Sequence, residues 1–329
     1  AQVWIAALLL FLAATALLLR ALPMALRQLY ALSEWRWLLA AWLLAAAARV
    51  VADPRLVTMF MAYRQTDTAL ALDVVPRYGA GVHVLQGLLL RVLPVDHLTL
   101  VAANTWFAVL TLPIIAALAA ALQPKRWAAT AAVAFVGFSP LFIRDAVTES
   151  NLVPIQLALW SGGLLWLRFV HAALRAEQPA EQHAAQAAPK LDAIAAVALL
   201  LWAMVGRPEM LVVVPLLVAA LTFGATLTFG ASAATPDELG PIKRVRRRLQ
   251  ALQTSLGGWW IALVLATAVV ATPHTWHIIA HGSELHDGLW PLLWMPTDMF
   301  MRNVVFRPAW FPAGITLLAL SSVWVQPAA

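Results

Sequence analysis

Long apolar runs separated by polar breaks set the rhythm of this 329-residue chain. The first runs from Val3 to Leu19 and the second from Trp37 to Val51. After a polar interval they resume at Leu98–Leu122, Trp127–Ile143, Leu152–Val170, Ile194–Val205, Leu211–Leu227, Trp259–Ala271 and Ile315–Val325. Several approach the roughly 20 residues that a helix needs to cross about 30 Å of hydrocarbon. None shows the short alternating segments of a membrane barrel. The pattern predicts an all-α polytopic membrane protein, a single domain over residues 1–329 with about nine transmembrane spans.

The polar interval at residues 53–94 breaks this rhythm. It carries Asp53, Asp67 and Asp73 together with Arg55, Arg64, Arg77 and Arg91, where a short loop would suffice to join two spans. Within it, LVTMFMAYRQTDTALAL predicts an interfacial helix, broken at Pro76 and Gly79. Val82–Val92 is apolar but too short to span, and reads as a second helix lying at the membrane surface.

Composition agrees with the pattern. The chain is 62% hydrophobic and only 12% charged, with mean hydropathy +0.80, outside the range of soluble domains. Sixteen tryptophans suit anchoring at membrane interfaces. With no cysteine, disulfides and thiol chemistry are excluded. The chain opens on Ala1 and ends in LSSVWVQPAA, an apolar run cut short, which reads as a fragment or a processed chain.

Charge then orients the spans. The net charge of +6 is not a nucleic-acid footprint, because the basic residues fall in short blocks between apolar runs. Arg20, Arg27 and Arg36, then Lys125 and Arg126, then Arg168, Arg175 and Lys190, then Lys243–Arg248 occupy alternate loops. The positive-inside rule makes that side cytoplasmic, including loops 176–190 and 229–257. The loops at 53–94, 144–151, 206–209 and 274–312 are then external, and they hold the mixed charge that chemistry needs.

Each external motif has two readings. Asp67 follows Arg64 by three residues, which suits a surface ion pair or a carboxylate placed to take a proton from an acceptor hydroxyl. Arg77 and Tyr78, after Pro76, either clamp a phosphate or anchor an interface. Asp145 and Glu149 are four apart in RDAVTESN and share a face if helical, forming a site for a metal or a hydroxyl. Arg207, in the tight turn GRPE, is costly at membrane depth without an anion; a lipid phosphate, Glu209 or Asp145 would serve. His277 and His281 have a spacing that suits metal ligation, but with Trp276 and Trp290 nearby they also fit an interfacial strip. No phosphate-binding glycine loop is present.

Together these pieces resemble the GT-C superfamily of polytopic glycosyltransferases, in its protein mannosyltransferase and aminoarabinose transferase branch. The matching stretches are YRQTDTALAL, PRYGAGVHVLQGLLLRVLP, FSPLFIRDAVTESN and GRPEMLVVVP, from about Trp37 to Leu227. The resemblance implies transfer, with inversion, of a sugar from a polyprenyl-phosphate-linked donor to a lipid, glycan or protein acceptor. It implies a site on the external (periplasmic) face of a bacterial inner membrane. Asp67 would be the general base, Glu149 or Asp145 an acceptor or metal contact, and Arg77, Tyr78 and Arg207 donor-phosphate ligands. No cofactor is required, although a divalent metal is compatible, with His277 and His281 as its ligands. Two departures from the family stand out: Asp67 is flanked by Thr66 and Thr68 where an acidic pair is usual, and the usual C-terminal part is missing. A transporter or flippase of a lipid-linked glycan, or a non-catalytic membrane subunit, are the competing readings. Transport is disfavoured because Leu98–Leu122 and Trp259–Ala271 carry no ionisable group.

Overall fold

The computed structural model describes residues 2–51, 80–123, 125–148, 152–175, 187–207, 210–232, 250, 261–262, 264–270 and 272. Every regular element among them is helical. The helices are α1 (Gln2–Ala16), α2 (Leu22–Tyr30), α3 (Trp35–Val51), α4 (Ala80–Val92), α5 (His97–Leu122), α6 (Ala128–Gly137), α7 (Pro140–Ala146), α8 (Leu152–Arg175), α9 (Ala187–Gly206) and α10 (Met210–Ser232). Between α1 and α2 lies one π-helical turn, Leu17–Ala21.

Among the described residues, three helices are long and apolar enough to cross a membrane: Val3–Tyr30, Leu98–Leu122 and Leu152–Leu174. They differ in where they sit. The third is the axis of the bundle, with Leu164, Leu165, Leu167, Phe169 and Val170 fully enclosed. It packs on α5, α9 and α10. The first lies at the edge, with Trp4 80% and Leu19 74% exposed. Large apolar side chains left uncovered on a helix of spanning length are what a lipid-facing surface requires. One apolar core joins the elements, running from Leu9 and Leu29 through Ile114, Leu164 and Trp202 to Val214.

The two ends of the bundle are chemically distinct. At one end Arg20, in the π turn, donates through Nε to Asp192 at 2.6 Å, with Arg168 at 3.7 Å from the same carboxylate. Nearby in the topology, Glu34 accepts the backbone N–H of Trp127 at 3.1 Å, tying the α2–α3 turn to the α5–α6 turn. These are the loops that the charge pattern groups on a single side. At the opposite end α4 crosses between helix termini. Gly81 meets Gly206, the last residue of α9, Val84 packs with Ala6 of α1, and Leu90 packs with Leu100 in the first turns of α5.

Some of the expected boundaries recur in the helices and others move. The first run continues through the π turn to Tyr30. The predicted loop 176–190 ends early, since α9 begins at Ala187, and α10 runs to Ser232 inside the predicted loop 229–257. The span expected at Trp127–Ile143 is not one helix. It breaks between Gly137 and Pro140, where Ser139 is extended (φ −66°, ψ 124°), as the residue before a proline prefers. The 10-residue α6 is too short to cross alone. The surface helix expected over Val82–Val92 is more deeply packed than such a helix would be, with Val82, His83, Val84, Gln86 and Leu90 all buried. Only Leu88, Arg91 and Val92 face outward. Described residues within 261–272 are helical, and the expected span Ile315–Val325 lies outside the described residues.

Candidate functional site

The end crossed by α4 buries His83, Gln86, Asn104 and Asp145, and α7 organises it. Pro140 starts this short helix at the position where its missing N–H costs nothing. Seven residues later the helix stops, leaving carbonyls without helical donors. Two residues of α5 supply them. Thr105 donates its hydroxyl to the Ala146 carbonyl at 3.1 Å, and Asn104 donates its amide to the Thr148 carbonyl at 2.7 Å. Thr148 in turn donates to the carbonyl of Asp145 at 3.0 Å. The backbone around Asp145 is therefore fixed from both sides.

Asp145 is only 8% exposed. Its Oδ1 accepts from Nη2 of Arg144 at 3.1 Å and from Nε at 3.4 Å. Burial raises the carboxyl above its ordinary value of 3.8; the charges of Arg144 and, more weakly, Arg207 pull it back without cancelling the rise. Arg207 follows directly on Gly206. A Cβ on Gly206 would come within 2.8 Å of the Ile155 side chain, and one on Gly81 within 3.1 Å of the Gly206 amide nitrogen. Absence of side chains at this crossing lets the ends of α9, α8 and α4 meet, which sets Arg207 within electrostatic reach of Asp145. The same crossing brings in α4, which buries His83 and Gln86 three residues apart.

Arg49 is the buried cation that sequence reasoning missed. At 2% exposure near the end of α3, it donates Nη1 to the Gly137 carbonyl at 2.7 Å and to Ala45 at 2.9 Å. Gly137 closes α6, so the guanidinium caps the negative end of a neighbouring helix. The available signal was a lone arginine ending the apolar run WRWLLAAWLLAAAARVV.

Of the residues predicted from sequence, Asp145 and Arg207 are described, and the Arg207 charge weakly lowers the pKa of the Asp145 carboxyl. Asp67, Arg77, Tyr78, Glu149, His277 and His281 lie outside the described residues. Among the described residues no group of three or more His, Asp or Glu is placed to hold a metal ion.

Comparison with protein-family models, curated proteins and solved structures finds no match for this chain. The chemistry of the site rests on its own geometry. A buried carboxyl paired with Arg144, its pKa raised by burial and weakly offset by the Arg207 charge, suits proton transfer beside an anionic substrate.

Proposed function

We propose that this chain is a membrane glycosyltransferase of the GT-C kind, moving a sugar from a polyprenyl-phosphate-linked donor to an acceptor at the external face. The observation that carries the reading is Asp145, buried beside Arg144 and within reach of Arg207, at the end of the bundle opposite the basic Arg20–Asp192 end. A lipid-linked donor partitions into the bilayer, so cations at headgroup depth must meet its phosphate. Arg207 fits that role, and Arg77 joins it in this reading. A polyprenyl phosphate leaves without needing a strong general acid when guanidinium groups stabilise its charge. Asp67 then serves as general base, and Asp145 or Glu149 contacts the acceptor. The external face corresponds to the periplasmic side of a bacterial inner membrane in this proposal.

The test is transfer of sugar from defined polyprenyl-phosphate donors by purified protein in detergent or liposomes. Asp67→Asn and Arg207→Gln are each expected to lower turnover by roughly 100-fold or more, the scale of losing a proton-transfer or charge-stabilising group. Unchanged turnover in both variants would overturn the residue assignments. Movement of the glycolipid across liposomes with no covalent product would replace the reading with transport.

A further inference from the structure

Toward the basic end, helices α2, α3, α5 and α6 leave a cavity of about 450 Å³ between them, within the size range of small-ligand sites. Its walls include Leu29, Tyr30, Trp35, Leu38, Trp42 and Pro113, and Arg27 is the one charged residue in the lining. The cavity is elongated along α3: Trp35 and Trp42 lie two turns apart, about 10 Å along the helix axis. It also reaches the outside of the bundle, since Leu26 and Leu39 belong to the lining and are 43% and 38% exposed. On a helix of spanning length that outer surface faces lipid.

The rim has the makeup of a headgroup region. Tyr30 and Trp35 have ring centroids 5.3 Å apart, and the Arg36 guanidinium lies 5.6 Å over the Trp35 ring. Outside the cavity lining but at the same end of the bundle, Trp37 and Trp127 pair at 6.5 Å, with Arg126 over Trp127 at 5.3 Å. Aromatic rings and cations together are the anchors of a membrane–water interface. Among the described residues, the acids at this end are already engaged. Glu34 accepts from Ser33 and Trp127, and Asp192 accepts from Arg20. Arg27 is exposed and makes no ion pair with an acid among the described residues.

We propose that this cavity binds an anionic phospholipid from the surrounding leaflet, with one acyl chain between α2 and α3 and the phosphate on Arg27. The carbon walls suit a chain and not a sugar or a nucleotide, and the cationic rim selects a headgroup with net negative charge over a zwitterionic one. The site is independent of the external chemistry, because it lies at the other end of the bundle.

Native mass spectrometry on the delipidated full chain in detergent tests this. The protein is offered equimolar phosphatidylglycerol and phosphatidylcholine with identical chains. One phosphatidylglycerol is expected to be retained in preference, and Arg27→Gln is expected to reduce that preference roughly fivefold, the worth of one interfacial cation. Val133→Phe, which fills the cavity, is expected to lower retention of both lipids; if that variant does not fold, Arg27→Gln alone decides. Equal retention of the two lipids, or a preference that Arg27→Gln leaves intact, would overturn the proposal. So would a dimer whose formation excludes lipid, since a second copy would then cover the cavity.

Discussion

The indole of Trp42 donates through Nε1 to the backbone carbonyl of Val109 at 2.9 Å. That carbonyl belongs to the residue four before Pro113, inside α5. Proline has no N–H to return to the carbonyl one turn back, so Val109 lacks its helical donor and α3 supplies one. The break in one helix is thus repaired by a side chain of another. In hydrocarbon such repair matters, because no water is present to substitute.

Trp42→Phe should therefore destabilise the bundle by about 0.6–2 kcal/mol, the range for an interhelical hydrogen bond in a membrane protein and for an orphaned carbonyl. The diagnostic is a double-mutant cycle with Pro113→Ala, read by thermal unfolding in detergent. Alanine restores the N–H, so the Trp42→Phe cost should shrink in that background. Equal costs in both backgrounds would mean that Trp42 acts only through packing.

Where Gly137 of α6 meets Ala45 of α3 there is no spare room. A Cβ on Gly137 would sit 2.7 Å from the Cβ of Ala45. Gly137→Ala is expected to cost about 1–3 kcal/mol by overpacking, and Ala45→Gly should recover much of it. Loss of the Arg49 hydrogen bond to the Gly137 carbonyl would accompany any shift of α6.

Asp192 holds three helical segments together, and its two arginines are unequal. Arg20 approaches to 2.6 Å and Arg168 to 3.7 Å, and both are partly exposed where the carboxylate is nearly enclosed. Asp192→Asn should cost about 1–3 kcal/mol, between the values for exposed and buried pairs. Arg20→Gln should be the more damaging of the two arginine substitutions in the same unfolding assay.

Two carboxyls should give opposite pH signatures. Asp145 binds its proton more tightly when folded, so its contribution to stability is full below the ordinary value of 3.8 and is lost as pH rises through its higher folded value. Glu34 is held below 4.5 by the Ser33 hydroxyl, then by the Trp127 amide. Its contribution is present above 4.5 and is lost as pH falls through the lower folded value. Unfolding temperature against pH should lose the first dependence in Asp145→Asn and the second in Glu34→Gln. A Glu34→Gln curve parallel to that of the parent chain would remove the tether between the two turns as a stabilising contact.

Much of the helical architecture was legible because apolar run length is a coarse quantity that survives tertiary detail. Leu98–Leu122 and Leu152–Val170 are recognisable as α5 and α8 for that reason. Grouping Arg20 with Arg168 was legible as charge alternation, and Asp192 links them in space. The cost of an arginine in the turn after Gly206 pointed to an anion, with Asp145 among the candidates, and the Arg207 charge reaches that carboxyl more weakly than that of Arg144. What stayed hidden depends on pairs distant in sequence. Nothing local to Trp42 announces Pro113, nothing local to Arg49 announces the end of α6, and Gly81 and Gly206 each look like ordinary turn glycines until the helices meet. The break at Pro140 was visible as a Ser-Pro turn, yet apolarity on both sides carried the predicted span through it.

The π turn at Leu17–Ala21 changes how the first long helix must be counted. Its hydrogen bond runs from the Leu22 amide to the Leu17 carbonyl, one residue farther than in an α-helix. Side chains before and after it therefore keep different angular phases, the earlier ones meeting α4 and α9 and the later ones meeting α5. Residues 2–30 behave as two gears on one shaft with an offset tooth between them. A graft or chimera joined within this stretch has to carry the extra residue along, or everything downstream turns by about 100°. Arg20 would then face away from Asp192, and Leu29 and Tyr30 would leave the cavity they line.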